Sequence, residues 1–165
     1  MIDPKFRHNT GPYLLQCGLA AATIVVILLF LDVISHTAII ATLGASAFIV
    51  FTMPRQYCSR PRPFLGGYLV GMTVGCLCCL LSHAQFLNPL LLTPRTSSIV
   101  FGALAVGAAI LLMTITNTEH PPATGMALGL VLNEWDYQTL IFILLAILFM
   151  AGVRHLLKSK MINLM

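Results

Sequence analysis

Long apolar runs alternate with short polar stretches along this chain. The four longest runs cover residues 14–31, 64–81, 99–113 and 138–152. A helix of about 20 apolar residues crosses a hydrocarbon core of about 30 Å, and charged residues are almost absent from these runs. The pattern therefore predicts an all-α polytopic membrane protein, folded as a single transmembrane domain over residues 1–165.

Two further apolar segments are short. Residues 37–53 would extend only about 24 Å as a helix, contain the small residues 44–46, and end at Pro54. The other should start at Pro121 or Pro122 and run to Leu132, because two prolines cannot continue a preceding helix but suit the first turn of a new one. The preceding helix should stop near Asn117, and we expect Thr118 or a residue just after it to cap the new helix. About six membrane segments are therefore predicted, two of them short or broken.

The two halves of the chain follow the same order of long, short and long segments. We therefore predict two inverted three-segment repeats, residues 14–83 and 98–155. The short segments occupy matching places, and in many transporters such segments build a binding site near the middle of the membrane. The sequence thus predicts a site between residues 41–46 and 117–125.

Composition and charge argue against a soluble protein and against a nucleic-acid-binding protein. With 58% hydrophobic and 8% charged residues, the chain does not have the composition of a soluble domain. The net charge of +4 comes from residues that flank the spans, so it indicates topology and not nucleic-acid binding. Six crossings place eight of the nine lysines and arginines on one side and only Arg95 on the other. We therefore expect both termini in the cytoplasm, most simply of a bacterial inner membrane.

The stretch from Glu119 to Thr124 holds the main candidate site, because ionisable residues at membrane depth are functional by default. Helix N-termini attract anions, and we expect two of them here, near residues 44–46 and 122–124. The predicted substrate-binding residues are Thr42, Gly44, Ala45, Ser46, Asn117, Glu119, His120, Pro121, Pro122, Ala123 and Thr124, with Arg60 and Arg62 in an adjacent basic loop. A tight Pro-Pro turn outside the membrane is the alternative interpretation.

These motifs resemble the HPP family of integral membrane proteins, called after the His-Pro-Pro found here at residues 120–122. The likeness covers most of residues 14–152 and includes Gly44-Ala45-Ser46-Ala47, the Pro54 turn, Pro61-Arg62 and Gly66-Gly67. This chain departs from the family pattern at Arg60, at Tyr68 where a histidine is frequent, and at Thr124-Gly125. Plant and cyanobacterial relatives are associated with nitrite transport, so the resemblance implies a small-anion permease.

Three functions are compatible with the residues. The leading hypothesis is a small-anion, nitrite-like transporter or channel that binds a small inorganic anion within the lipid bilayer and needs no cofactor. A soft-metal transporter for copper or zinc would use Cys76, Cys78 and Cys79, although helical geometry turns Cys78 away from the other two. An intramembrane enzyme would use Glu119 and His120 as acid and base, but no nucleophile or metal-ligand set accompanies them. We therefore expect no enzymatic activity.

Three points stay open in the sequence. Glu119 could be protonated, paired with an arginine such as Arg62, or coupled to proton movement. We expect His120 to be largely neutral at pH 7 unless Glu119 is ionised beside it, since both desolvation and the adjacent helix N-terminus disfavour an imidazolium. The small-residue faces on residues 64–81 and 99–113 could pack within one subunit or between several, so a homo-oligomer is an alternative to a monomer.

Overall fold

The computed structural model describes residues 9–29, 37–84, 93–133 and 135–164, and helices account for most of them. They are α1 (Thr10–Leu28), α2 (Thr37–Thr52), α3 (Pro61–Ser82), α4 (Pro94–Thr116), α5 (Pro121–Leu132) and α6 (Tyr137–Leu157), with a 3-10 turn at Tyr57–Ser59. In these ranges no strand occurs, so the predicted all-α class is confirmed. Helices α1, α3, α4 and α6 are long and apolar enough to cross a membrane, whereas α2 and α5 are shorter apolar helices.

Successive helices run in alternate directions. The start of α1 meets the end of α2, where Gln16 Nε2 donates to the Phe51 carbonyl oxygen at 2.5 Å. The start of α4 meets the end of α3, where Ser97 Oγ donates to the Ser82 carbonyl oxygen at 2.7 Å. One end of the bundle therefore gathers the starts of α1, α3 and α5 and the ends of α2, α4 and α6.

Most basic residues lie at that same end, which we call the basic end. Its described lysines and arginines are Arg55, Arg60, Arg62, Arg154, Lys158 and Lys160. Arg95 lies in the first turn of α4, at the opposite end. This is the distribution that six crossings require, and the side of the membrane that the basic end faces stays a prediction.

Helix α5 packs lengthwise against α3, and the glycines of α3 make their close approach possible. A Cβ on Gly71 would collide with the Ala123 carbonyl oxygen, and one on Gly75 would lie 2.8 Å from the Ala127 carbonyl oxygen. The two pairs advance together along both helices, so α3 and α5 are parallel. The predicted small-residue face of α3 is thus used inside this chain, against backbone atoms of α5.

The end of α2 is held by donors from distant parts of the chain. An unpaired carbonyl at membrane depth costs several kcal/mol, so these bonds help to fix where α2 can end. The donors are Gln16 to Phe51 (2.5 Å), the Leu164 amide to Thr52 (2.8 Å), Ser59 to Met53 (2.7 Å) and Arg154 to Pro54 (2.6 Å). Arg154 and Leu164 thus connect the C-terminal stretch to the end of α2, and Gln16 connects α1 to it. We call these contacts the strap.

Several helix limits differ from those predicted; α4, for example, begins at Pro94 and not near residue 99. Helix α1 begins at Thr10, earlier than expected, and residues 30 and 31 of the predicted span lie outside the described ranges. Helix α3 begins at Pro61, so Arg62 belongs to its first turn and not to a basic loop. Helix α6 continues to Leu157, so Arg154 is a helical residue with only 3% of its surface exposed.

The inverted repeats are not confirmed by the packing. In such a repeat α3 corresponds to α6 and α5 to α2, so the long contact between α3 and α5 should recur between α6 and α2. Helices α6 and α2 touch only slightly, whereas α3 and α5 form the most extensive helix pair.

Candidate functional site

Helix α5 begins partway along the bundle, below the basic end. His120, which directly precedes α5, lies against Gly67, where an added Cβ would come within 2.7 Å of the His120 Cβ. Gly67 is about 9 Å along α3 from Pro61, counting 1.5 Å per residue. The chain turns into this recess at Asn117, whose left-handed backbone (φ 52°) ends α4 in a Schellman-type turn.

A chain of hydrogen bonds links α5 to α2 and α3 at this level. His120 Nε2 lies 2.8 Å from Ser46 Oγ, and Ser46 Oγ lies 2.7 Å from the Tyr68 hydroxyl. The Tyr68 hydroxyl also lies 3.2 Å from the Thr42 carbonyl oxygen. On its other side, His120 Nδ1 lies 3.0 Å from the Cys58 carbonyl oxygen. We call Ser46, Tyr68 and His120 the buried triad.

The Cys58 contact determines the tautomer of the imidazole. A carbonyl oxygen only accepts hydrogen bonds, so His120 Nδ1 carries a proton. In the neutral ring Nε2 must then accept, which makes Ser46 the donor to His120 and Tyr68 the donor to Ser46. Both ring nitrogens thus contact uncharged partners, an arrangement that suits the neutral imidazole expected from the sequence.

Two aromatic rings pack against the His120 imidazole. The Phe64 ring meets the His120 ring edge-on, with centroids 5.0 Å apart, and the Tyr68 ring lies 5.5 Å from it at a tilt. All four side chains of this group, including Ser46, are fully buried. Edge-on aromatic packing of this kind holds a ring in one orientation, so the imidazole is fixed by contacts on its faces as well as at its nitrogens.

An open cavity of about 640 Å³ lies directly above the triad at the basic end, and we call it the vestibule. Its lining residues are Gln56, Tyr57, Cys58, Arg62, Asn117, Glu119 and Pro121. Cys58 accepts the His120 hydrogen bond, and Glu119 and Pro121 flank His120 in the chain, so the vestibule lies next to the imidazole, although none of the triad residues lines it. A smaller cavity of about 210 Å³ reaches His120 and Thr124 from the side of α4.

The vestibule lining contains one basic and one acidic side chain, Arg62 and Glu119. Arg62 Nη2 donates to the Thr116 carbonyl oxygen at 3.2 Å, and the half-buried Glu119 lines both cavities. The pair between Glu119 and Arg62 considered from the sequence is therefore not formed. Arg60 lies at the start of α3 with its guanidinium carbon 5.9 Å from the centre of the Tyr57 ring, beside the vestibule and not within its lining.

The start of α5 offers fewer amide donors than the sequence suggested. Its first two residues, Pro121 and Pro122, have no N–H group. The third, Ala123, already donates to the His120 carbonyl oxygen at 2.9 Å. Thr118 does not cap the helix, because its hydroxyl bonds Thr116 instead at 2.8 Å. Polar recognition at this level therefore falls to side chains and not to free backbone amides.

The predicted helix N-terminus at residues 44–46 does not exist. Helix α2 is continuous from Thr37 to Thr52, so its amides there are used within the helix. Ser46 and Thr42 face the site, whereas Ala45 is exposed and a Cβ added to Gly44 would meet nothing within 4 Å. The two short helices do meet as expected, through the Ser46 contact with His120 and through Gly125 packed on the Thr42 methyl group.

The cysteines of α3 do not assemble a metal site. Cys79 is buried and its Sγ lies 3.8 Å from His83 Nδ1, while Cys76 and Cys78 are half-buried. Across the described ranges, no three His, Cys, Asp or Glu side chains come together in a way that could hold a metal ion. The soft-metal alternative therefore gains no support from the geometry.

Comparison with known sequences identifies the relationship. The chain matches the family description "HPP, transmembrane region" over residues 6–162. It belongs to the HPP transmembrane family. This HPP family protein is a multi-pass membrane protein, and residues 120–122 are the His-Pro-Pro at the start of its recessed helix.

A transmembrane protein of Dictyostelium discoideum is similar to this HPP protein, with 31% identity over 111 residues. The matched region is 67% of this chain but only 36% of the relative, so the chain spans about a third of the length of that protein. No solved structure matches the chain.

Sequence reasoning misses two members of the site. Tyr68 stands out in the sequence only as a departure from the family pattern, whereas in the structure its hydroxyl completes the triad. Cys58 contributes only its backbone carbonyl, which no side-chain pattern reveals. The position of Tyr68 directly after Gly66-Gly67 is the available signal, because those glycines bring α3 against the His-Pro-Pro stretch.

Proposed function

We propose that this HPP family protein moves a small inorganic anion, of the nitrite type, across the membrane as a transporter or channel. The observation that carries the proposal is the buried triad at the start of a recessed helix, directly beneath an open vestibule that contains Arg62. Recessed short helices with polar groups at their starts are a common way to build transport sites.

The electrostatics of the basic end favour an anion as the substrate. Arg62 lines the vestibule, and Arg55, Arg60, Lys158 and Lys160 lie at the same end of the bundle. Exposed charges of one sign raise the local concentration of the opposite ion. The positive end of the α5 dipole points toward the vestibule. Both effects act on any small anion, so they support the class and leave the choice among nitrite, nitrate, formate and chloride to experiment.

The polar groups of the buried triad are already occupied by hydrogen bonds, so the site is closed to an anion in this structure. Its hydroxyl and imidazole groups bond one another and the carbonyls of Cys58 and Thr42, so an anion can bind there only if these bonds open. Such a site holds its ligand weakly, which suits conduction. Catalysis is not part of the proposal, and a bacterial inner membrane with cytoplasmic termini remains the proposed location.

The test is anion flux into proteoliposomes that contain the purified protein, across a panel of nitrite, nitrate, formate and chloride. We expect flux of at least one anion, lowered at least about tenfold by Ser46→Ala. The matched control is Thr73→Ala, which removes an exposed hydroxyl of α3 that bonds only the Leu69 carbonyl within its own helix. Absence of flux for all four anions would remove the proposal.

A further inference from the structure

The hydrogen-bond chain through the buried triad is consistent with two arrangements of its protons. With a neutral His120, Tyr68 donates to Ser46 and Ser46 donates to His120 Nε2. The Thr42 carbonyl oxygen, 3.2 Å from the Tyr68 hydroxyl, then competes with Ser46 for a single tyrosine proton. One acceptor is therefore left incompletely satisfied in this arrangement.

A protonated His120 reverses the chain. Nε2–H then donates to Ser46, Ser46 donates to Tyr68, and Tyr68 donates to the Thr42 carbonyl oxygen, while Nδ1–H still donates to Cys58. Every donor and acceptor in the chain has a partner. Only two hydroxyl groups rotate, and no bond between heavy atoms forms or breaks.

The surroundings decide when the charged ring is tolerated. Helix α2 faces the ring with Ser46 and α3 with Tyr68, and α4 contributes Ile110, Met113 and Thr114 to the cavity that reaches His120, so none of the three helices supplies a formal charge at the triad itself. Two ionisable residues adjoin His120, namely Glu119 as its neighbour in the chain and Cys58 through its backbone carbonyl, and both line the vestibule together with Arg62. Glu119 also lines the smaller cavity that reaches His120. An imidazolium at this depth would therefore be stabilised by an anion at the base of the vestibule.

We propose that the proton is the co-substrate of this site, so that His120 takes up one proton when an anion binds beside it and releases that proton when the anion leaves. The inference rests on the proposed anion transport and adds its coupling. At the triad itself neither ion has a counter-charge without the other, because the direct contacts of His120 are all to uncharged groups. Proton and anion should then cross together, in a ratio of one to one.

The experiment uses the full chain in proteoliposomes, with an internal pH-sensitive dye and the membrane potential clamped by potassium and valinomycin. Nitrate and chloride are measured directly. Nitrite and formate also cross bilayers as neutral acids, so their rates are corrected with protein-free vesicles. For the transported anion we expect one proton to enter with each anion, uptake that rises with an inward proton gradient, and little response to the clamped potential.

Variants of the triad separate coupling from folding. Glutamine at position 120 can keep hydrogen bonds but cannot take up a proton, so His120→Gln should retain part of the flux while the number of protons per anion falls from about one to near zero. Tyr68→Phe keeps the ring that packs on His120 and removes only the hydroxyl, so it should lower proton-driven uptake several-fold. The matched controls, His155→Gln and Tyr137→Phe, alter exposed side chains of α6 and should keep a ratio of one.

The possible outcomes distinguish a failure of proton coupling from a failure of anion transport. Anion flux without proton movement, set by the clamped potential, overturns proton coupling and leaves anion transport intact. A His120→Gln variant that still carries one proton per anion also overturns the role of His120. Absence of flux for every anion of the panel overturns the proposed function itself, and the coupling with it.

Discussion

The hydrogen bond between His120 and the Cys58 carbonyl leads to a spectroscopic prediction. Because that carbonyl can only accept, the neutral ring must carry its proton on Nδ1 and leave Nε2 to accept from Ser46. Nitrogen NMR of the histidine-labelled protein in lipid should therefore show one histidine with a protonated Nδ1 and an unprotonated Nε2. The spectrum of His120→Gln, which should lack this signal, provides the assignment. A His120 protonated only on Nε2 would contradict the geometry.

Substitutions at His120 should rank by the hydrogen bonds they preserve. Gln and Asn can each keep one polar contact of the ring, with Ser46 or with Cys58, whereas Leu keeps neither. His120→Leu leaves buried polar groups without a partner, at a cost of about 1–3 kcal/mol each. We expect flux to fall in the order His, then Gln or Asn, then Leu, when protein levels are equal. Wild-type flux in His120→Arg together with inactive Gln and Asn variants would show that the site needs fixed positive charge.

At the scale of single residues, part of the site is predictable from sequence and part is not. His120 and Ser46 are predicted because polar side chains inside apolar segments are conspicuous. Tyr68 is not among the predicted site residues, since an aromatic ring in an apolar helix is usually a packing residue. The burial of Arg154 is not predictable in this way, because its guanidinium bonds the Pro54 carbonyl across 100 residues of sequence.

At the scale of elements, the close contact between α3 and α5 predicts a sharp difference between two glycines. A Cβ on Gly71 would collide with the backbone of Ala123, whereas Gly107 of α4 has open space within 4 Å. Gly71→Ala must push the helices apart and should cost about 1–3 kcal/mol, as overpacking usually does. Gly107→Ala should leave stability unchanged or raise it slightly, since alanine favours helix. Thermal unfolding in detergent measures both, and equal effects would contradict the packing.

The strap at the basic end predicts a second difference between matched residues. Gln16 is fully buried within α1 and its amide bonds the carbonyl oxygens of Phe51 and Ile162 and the Ile162 amide. Gln16→Leu should therefore lower stability by about 1–3 kcal/mol, because it leaves buried polar groups unpaired.

The control for this strap prediction is Gln138→Leu, which changes an exposed glutamine at the start of α6 and should have little effect. A comparable loss of stability for both glutamines in the same thermal assay would show that the strap contributes nothing specific.

The helices themselves are predictable where local chemistry fixes their ends. The predicted helix from Pro121 or Pro122 to Leu132 agrees with α5, because two prolines allow a helix to start and forbid one to continue. The predicted break at residues 44–46 is wrong, since small residues are well tolerated in membrane helices and α2 gains its stability from neighbours on both sides. Inverted repeats rest on how whole helices pack, which local patterns do not encode.

At the scale of the whole molecule, the basic residues and the opening of the vestibule lie at the same end of the bundle. All described lysines and arginines except Arg95 lie at the end where the vestibule opens. Cytoplasmic loops of membrane proteins carry an excess of such residues. The vestibule should therefore open to the cytoplasm, and an anion leaving the cell would meet the basic end first.

A cysteine already present at the vestibule tests this orientation. Cys58 is half-buried and lines the open cavity, so it should react with maleimides that enter the cell and not with impermeant ones. The assay uses a variant in which the other four cysteines are replaced by serine or alanine. Its matched control carries Cys58→Ser and His83→Cys, since His83 is exposed at the opposite end and should be labelled by the impermeant reagent on intact cells. Labelling of Cys58 from outside, with His83→Cys protected, would show that the basic end faces outward and that the charge rule fails for this protein.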